Sequence, residues 1–417
     1  MLNPYKVIKQ LDFERLAGSE GEKKALEIIS DHLESFGIKP EYDPFDLFCF
    51  DAGTAEVECN GKHFDVTPMG LIESCSVTGE LVMLDNPELV GLNKGAFKGK
   101  IVMALGYSRK LAGKLVDEEV AAYIAIGRPE REATSLSLRQ KLYQDGYVPS
   151  ATISHDEALR LMRYNGYQAT LRIKQAIEHR VGNNIVVDIP GKGIDNNLTL
   201  AVGHYDTVAH SPGASDNGGG IVALLSLAEH FSIHQPQRDL RIIFFSGEEM
   251  GLLGSKHYVK ENLDELKKRA GLVVNIDVSG DAIGTDAYAV IGSKELSGYV
   301  DGITREAGML FKTSVDIYSS DGIHFAKYEI PSVNVMRFGG KATNFIHTSG
   351  DNAKNVTRKG YLNTINASLN LVGKVVNSPI YPVKGGMDSS LRDKLETYLW
   401  NSTMEKPELE WTPKYKQ

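Results

Sequence analysis

The sequence predicts an α/β protein: a mixed, mostly parallel central sheet flanked by helices, interrupted by a β-rich insertion. Three observations carry that reading. After residue 180, near-continuous apolar segments alternate with helical patterns, as strands buried on both faces of a sheet do. From about 46 to 175 the texture changes to short β-rich pieces punctuated by Gly and Asn. The length, 417 residues, accommodates two or three domains at ~150 residues each.

Ser19 caps a first helix, with Glu22 three residues later and Ala25, Ile28, Ile29, Leu33 and Phe36 at helical spacing before Gly37 stops it. Within the insertion, 55–57, 80–84, 100–104 and 121–126 read as strands, and 156–164 as a helix ended by Asn165-Gly166. The sheet strands are expected at 184–189, 198–202, 240–245, 272–276, 287–291 and 332–335. Helices are expected at 217–232, 253–269, 295–308 and 357–376. The division that follows is 1–45 with 176–383 as one domain, 46–175 as the insertion, and 384–417 as a polar tail. That tail, with Trp400 and Trp411, is expected to pack on the body or on a partner subunit.

With 42% hydrophobic, 8% aromatic and 24% charged residues, the composition is that of an ordinary globular protein. Forty-six Lys and Arg against 54 Asp and Glu leave a net charge of −8, which repels phosphate backbones and anionic lipid, and no basic patch offsets it. Neither nucleic acid nor a membrane is an expected partner, and homo-oligomerisation is left open. Cys49, Cys59 and Cys75 are odd in number and lack C-x-x-C spacing, so they read as reduced thiols. No segment approaches the ~20 apolar residues of a membrane span, and the N-terminus carries no leader pattern. A cytoplasmic location is expected, or a secreted one for a chain whose signal peptide has been removed.

In open α/β sheets the chemistry collects beyond the carboxyl ends of the strands, and the polar residues there are all metal-ligand types. The strand at 198–202 runs into Gly203-His204-Tyr205-Asp206; Ser215-Asp216-Asn217-Gly218 forms the next turn. Phe245-Ser246-Gly247-Glu248-Glu249 ends another strand, Asp277 ends a third, and Ile346-His347-Thr348 lies in a Gly-rich loop. Each piece alone is weak; their joint placement is not. Glu248 and Glu249 follow the apolar run 242–245, where unpaired carboxylates are costly and a cation resolves the problem. Successive residues point in opposite directions, so one glutamate can bind an ion while the other faces a water. Two imidazoles with three carboxylates serve two ions only if a carboxylate is shared, which sets ions ~3.5 to 4 Å apart. Nitrogen and oxygen donors without sulfur suit Zn²⁺, with Co²⁺ or Mn²⁺ as substitutes. His230 and His234 have zinc-helix spacing but no adjacent Glu, and read as helix-face residues. Gly218-Gly219-Gly220 lacks a following Gly-Lys-Ser/Thr, and reads as close backbone approach.

This ordered set, with Gly247-Glu248-Glu249-Met250-Gly251-Leu252, Asn275-Ile276-Asp277 and His347-Thr348, resembles the M28 family of co-catalytic zinc peptidases, mainly aminopeptidases. The resemblance spans the opening helix, with Arg15-Leu16-Ala17-Gly18-Ser19 before it, and nearly everything from 183 to 375. Gly99-Lys100-Ile101-Val102 and Val148-Pro149-Ser150-Ala151-Thr152-Ile153 resemble a protease-associated domain.

The resemblance implies a zinc-peptidase/phosphorylase-like layout and removal of N-terminal residues from peptides through a water bridged by two zinc ions. It implies that His204 and Asp277 hold one zinc, Glu249 and His347 the other, and that Asp216 bridges them. Glu248 takes the place of general base and then acid, Asp206 that of the carboxylate orienting the first imidazole, and the Asp216–Asn217 peptide is expected cis.

Two positions depart from the family pattern. In Ser320-Asp321-Gly322-Ile323-His324-Phe325 a glycine stands where many relatives have histidine, which leaves His324 as a candidate to fill the space. Ile346 stands where some relatives place an oxyanion-stabilising tyrosine, which leaves zinc or another donor such as Arg337. The same scaffold also serves carboxypeptidases, acylases, glutaminyl cyclases and non-catalytic receptor-like proteins, the last of which normally lose ligands. The 46–175 module is expected to contribute to the cleft walls, where it would restrict entry to short peptides.

Overall fold

The computed structural model describes residues 2–403, with side chains described through residue 400, so Trp411 lies outside the described residues. Its main sheet has eight strands in the order Glu41–Phe50, Ile177–Ile189, Asp239–Phe245, Leu198–His204, Ala270–Ile276, Ser332–Phe338, Thr285–Ile291 and Lys312–Val315. The four strands from Asp239–Phe245 to Ser332–Phe338 are mutually parallel. Ile177–Ile189 and Thr285–Ile291 run antiparallel to them on either side. The sheet is therefore mixed, and its parallel centre delivers several strand ends to one edge.

The centre is parallel because its strands are apolar on both faces. Every residue of Leu198–His204 is buried. Successive side chains alternate between faces: Leu200, Val202, Ile243 and Phe245 enter one cluster, Ala201, Ile242 and Phe244 the other. The helices Glu20–Ser35, Gly218–Ile233, Lys294–Glu306 and Arg358–Asn377 cover the second cluster. Leu253–Glu261, Leu263–Arg269 and Gly322–Ala326 cover the first.

Two elements and one domain boundary differ from expectation. The strand expected at 184–189 begins at Ile177, because its polar first half pairs with the edge strand Glu41–Phe50 rather than burying an apolar face. That edge strand runs through the expected boundary at residue 46. The helix expected over 253–269 breaks at Asn262, whose side-chain amide donates to Tyr258 O at 2.9 Å. The tail contains the helix Ser389–Thr403, whose Leu391, Leu395 and Leu399, four apart, pack against Leu252, Ile291 and Ile323 of the body.

Between residues 54 and 174 seven strands close into a barrel in the order Thr54–Cys59, Lys62–Pro68, Ser150–Ile153, Ala122–Ile126, Ile101–Leu105, Cys75–Leu84 and Gln168–Lys174. Its core of Val57, Phe64, Leu81, Met103, Ile124 and Leu171 is continuous with Leu16, Leu47 and Met250 of the body. The three cysteines are free. Among the described residues no helix is long and apolar enough to cross a membrane.

The helix Glu20–Ser35 is tied to the same sheet edge. Ser19 Oγ accepts the Glu22 N–H at 3.2 Å, and Glu22 accepts the Gly18 N–H at 2.7 Å while its other oxygen meets the Ser246 hydroxyl. Burial pushes the Glu22 carboxyl up to about 8, against the hydrogen bonds from Ser246 and Gly18. An acid raised in the folded state holds a proton that the unfolded chain releases, so its contribution to stability falls as pH rises from the unfolded to the folded value. Glu22→Gln is therefore expected to gain melting temperature relative to the parent between about pH 5 and about pH 8. A melting-temperature difference that stays constant across that range would contradict this.

Candidate metal centre and its cleft

The sheet edge collects the side chains singled out above. Leu198–His204 ends in His204, Asp239–Phe245 leads through Ser246-Gly247 to Glu248 and Glu249, and Ala270–Ile276 is followed by Asp277. Asp216 precedes the helix Gly218–Ile233, and His347 follows the short helix Lys341–Asn344. His204 Nε2 lies 3.1 Å from Asp216 Oδ1 and 3.4 Å from Asp277 Oδ1. His347 Nε2 lies 3.3 Å from Asp216 Oδ2 and 3.0 Å from Glu249 Oε2. Two groupings result, His204–Asp216–Asp277 and Asp216–Glu249–His347, each with ligand atoms within 4.8 Å of one another. Asp216 belongs to both, through different oxygens.

The donor set fits divalent cations. Glu249 Oε1 and Asp277 Oδ1 are buried with no hydrogen-bond donor among the described residues. Burial pushes the Glu248 carboxyl well above the carboxylate range; His204 opposes this, while Glu249, Asp321 and Asp277 add to it. Burial favours the neutral His204 ring, yet Asp206, Asp216, Asp277 and Glu248 outweigh it and hold the ring well above the histidine range. Without cations the imidazoles are the positive charges nearest to the carboxylates. Metal ions would remove that surplus and return the rings to their ligating form.

The supporting contacts explain how the chain holds these groups. Asp206 accepts the N–H groups of Glu248 at 3.1 Å and Glu249 at 3.3 Å. Its backbone oxygen lies 3.2 Å from His204 Nδ1, nearer than its carboxylate at 3.5 Å. Asp206 thus faces the imidazole through both its main-chain oxygen and its carboxylate, and the same carboxylate holds the glutamate turn. The Asp216–Asn217 peptide is cis. Asn217 Nδ2 donates to Ile276 O at 2.8 Å, and its Oδ1 accepts the Gly220 N–H at 2.7 Å, capping the following helix. A Cβ on Gly220 would lie 2.5 Å from Ile276 O, so the glycine is required by close approach to the neighbouring strand.

Two contributors lie outside the candidate ligand set: Asp351, which carries no signal in the sequence pattern, and Arg15, which lies in the Arg15–Ser19 segment. Asp351 accepts the N–H groups of Ser215 at 2.7 Å and Asp216 at 3.0 Å. Arg15, fully buried, donates to Leu11 O and Tyr205 O at 2.8 Å and to Gly213 O at 3.0 Å, joining the opening segment to the loop between His204 and Asp216.

The barrel holds the other side. Arg131 donates to Ile346 O at 2.6 Å, Ser135 N–H to His347 O at 2.9 Å, and Ser137 Oγ to Glu249 O at 3.3 Å. A cleft of about 350 Å³ opens beside the cluster, lined by Glu248, Glu249, Asp277 and His347 together with Tyr318.

The two substitute residues considered from sequence do not reach this cleft. Arg337 donates to Asp286 at 2.8 Å and Asp281 O at 2.7 Å, so its guanidinium is committed elsewhere. His324 is buried beside a separate small cavity, with both ring nitrogens unpartnered among the described residues. Tyr318, which periodicity does not single out, does line the cleft.

Asp351→Asn removes one of the two acceptors that hold the Ser215–Asp216 backbone. It is expected to weaken zinc binding by about tenfold or more, measured by chelator competition. An unchanged affinity would contradict a positioning role for Asp351.

Residues 184–372 match the model of peptidase family M28. The chain is 24% identical over 395 residues to a probable leucine aminopeptidase 2 of Arthroderma benhamiae, covering 84% of this chain and 77% of that protein. Its fold is similar to the peptidase M28 precursor of Shewanella amazonensis, with a TM-score of 0.79 at 20% identity over 92% of this chain and 94% of that one. It is also similar to BSAP, a zinc aminopeptidase of Bacillus subtilis, with a TM-score of 0.73 at 20% identity over 93% and 98%. The segment that matches the peptidase family M28 model is the one that carries His204, Asp216, Glu248, Glu249, Asp277 and His347.

Proposed function

We propose that this protein is a zinc-dependent aminopeptidase that works with two ions, hydrolysing N-terminal residues from peptides. The observation that carries the reading is Asp216, which turns one oxygen to His204 and the other to His347. His204, Asp216 and Asp277 would hold one ion, and Asp216, Glu249 and His347 the other; Co²⁺ or Mn²⁺ can take the same nitrogen and oxygen donors. When bound, the ions supply Lewis acidity to the scissile carbonyl and lower the pKa of water.

Glu248 lines the cleft beside the ligand Glu249, and burial makes its carboxylate a stronger base than an exposed one. In this reading it takes the proton from the attacking water and delivers it to the departing amine. Asp206 keeps it in place through the backbone of the glutamate turn. Burial, with the carboxylates of Asp277, Asp216 and Glu248, holds the Tyr318 phenol in its protonated form, so it can donate a hydrogen bond. We assign Tyr318 the oxyanion-stabilising place that Ile346 and Arg337 cannot fill. The barrel is read as the inserted protease-associated-like module of 46–175, a reading supported by its closed β architecture and by its contacts to the His347 loop.

The zinc-loaded protein is expected to hydrolyse aminoacyl amides with free amino termini. Glu248→Ala is expected to lower kcat by about 10²- to 10⁴-fold while retaining its zinc. Chelation should abolish turnover and added zinc restore it. Turnover by Glu248→Ala at the parent rate, or a requirement for a free carboxyl terminus with a blocked amino terminus, would overturn the reading.

A further inference from the structure

The cleft has a basic wall that the hydrolytic chemistry does not use. Arg109 and Arg139 line the same cavity as Glu248, Glu249 and Asp277, yet both come from the barrel. Arg109 opens the helix Arg109–Asp117 after the strand Ile101–Leu105, and Arg139 immediately precedes the helix Gln140–Asp145. Among the described residues neither guanidinium makes a hydrogen bond or an ion pair. The other arginines packed into the body do. Arg15, Arg238, Arg241 and Arg337 are each held by carbonyl or carboxylate oxygens.

Arg139 is nevertheless seated. Gly251, two residues beyond the ligand Glu249, has φ +120°, and a Cβ there would lie 2.6 Å from Arg139 Nη1. The guanidinium therefore packs directly over the Gly251 backbone, where a Cβ would displace it. Burial, and then the nearby Arg109 charge, push Arg139 down to about 10, which still leaves it protonated at neutral pH. Two like charges held side by side in a cleft are unfavourable unless an anion joins them. With two divalent ions matching Asp216, Glu248, Glu249 and Asp277, no protein carboxylate lining the cleft is left to do so.

We propose that Arg109 and Arg139 form a carboxylate-binding subsite, through which the barrel selects short peptides whose terminal carboxylate reaches into the cleft. Two guanidinium forks suit a carboxylate, which each can engage through paired N–H groups. A di- or tripeptide carries its carboxylate about one or two residue lengths past the scissile bond, roughly 4 to 7 Å, whereas a long peptide carries it out of the cleft. The proposal rests on the aminopeptidase reading for the substrate class, but not on turnover for its test.

An acidic side chain presents the same group, so the experiment has two arms. Binding to zinc-loaded Glu248→Ala is measured by calorimetry for Leu-Gly against Leu-Gly amide, and for Glu-Gly amide against Gln-Gly amide. We expect Leu-Gly to bind about tenfold or more tightly than its amide, and the ratio to fall to near one when Arg109→Gln and Arg139→Gln are added. The single variants serve if the double variant does not melt like the parent. Equal binding of acid and amide, or a preference that survives loss of both arginines, overturns the proposal. A preference confined to the Glu-Gly arm keeps the subsite and overturns selection by peptide length. Turnover of the amide by the parent without any carboxylate preference leaves the aminopeptidase reading standing and removes this one. A carboxylate preference without turnover does the reverse.

Discussion

The structure depends on a charge imbalance at one edge of a parallel sheet. Asp216, Glu248, Glu249 and Asp277 are brought together beside two imidazoles, in surroundings where unpaired carboxylates are costly. Asp216 lies at the centre, one oxygen toward each histidine. On the proposed reading two cations would match this cluster, and the remaining local architecture holds its side chains in place.

That architecture comes from three parts of the chain. The opening segment contributes Arg15 and Glu22, which fasten the loops around His204 and Ser246. The body contributes Asp206 and Asp351, whose carboxylates accept the backbone N–H groups of the ligand-bearing turns. The barrel contributes Arg131, Ser135 and Ser137, which hold the His347 and Glu249 backbone from the opposite sequence neighbourhood. A module that both fastens the ligand loops and lines the cleft is placed to couple substrate choice to the geometry of the centre.

Legibility in the sequence follows the range of the interactions. Strands such as Leu198–His204 and Asp239–Phe245 are readable because burial on both faces writes an apolar run, and their ends name the donor residues. The edge strand Glu41–Phe50 is less so, since the buried Phe45, Leu47 and Cys49 alternate over its second half only, after Asp43 and Pro44. The helix Ser389–Thr403 has a readable stripe in Leu391, Leu395 and Leu399, masked by a polar surrounding composition. Asp351 lies 135 residues from the Asp216 N–H it accepts, and no local pattern reports such a partnership. Arg109 and Arg139 look like ordinary helix-end charges until the barrel is laid against the cleft.

The most direct test is anomalous diffraction at the zinc edge from crystals of the zinc-loaded protein. Two peaks about 3.5 to 4 Å apart, one beside His204 and Asp277 and the other beside Glu249 and His347 with Asp216 between them, are the expected result. A single ion, or ions bound away from Asp216, would contradict the shared-carboxylate centre.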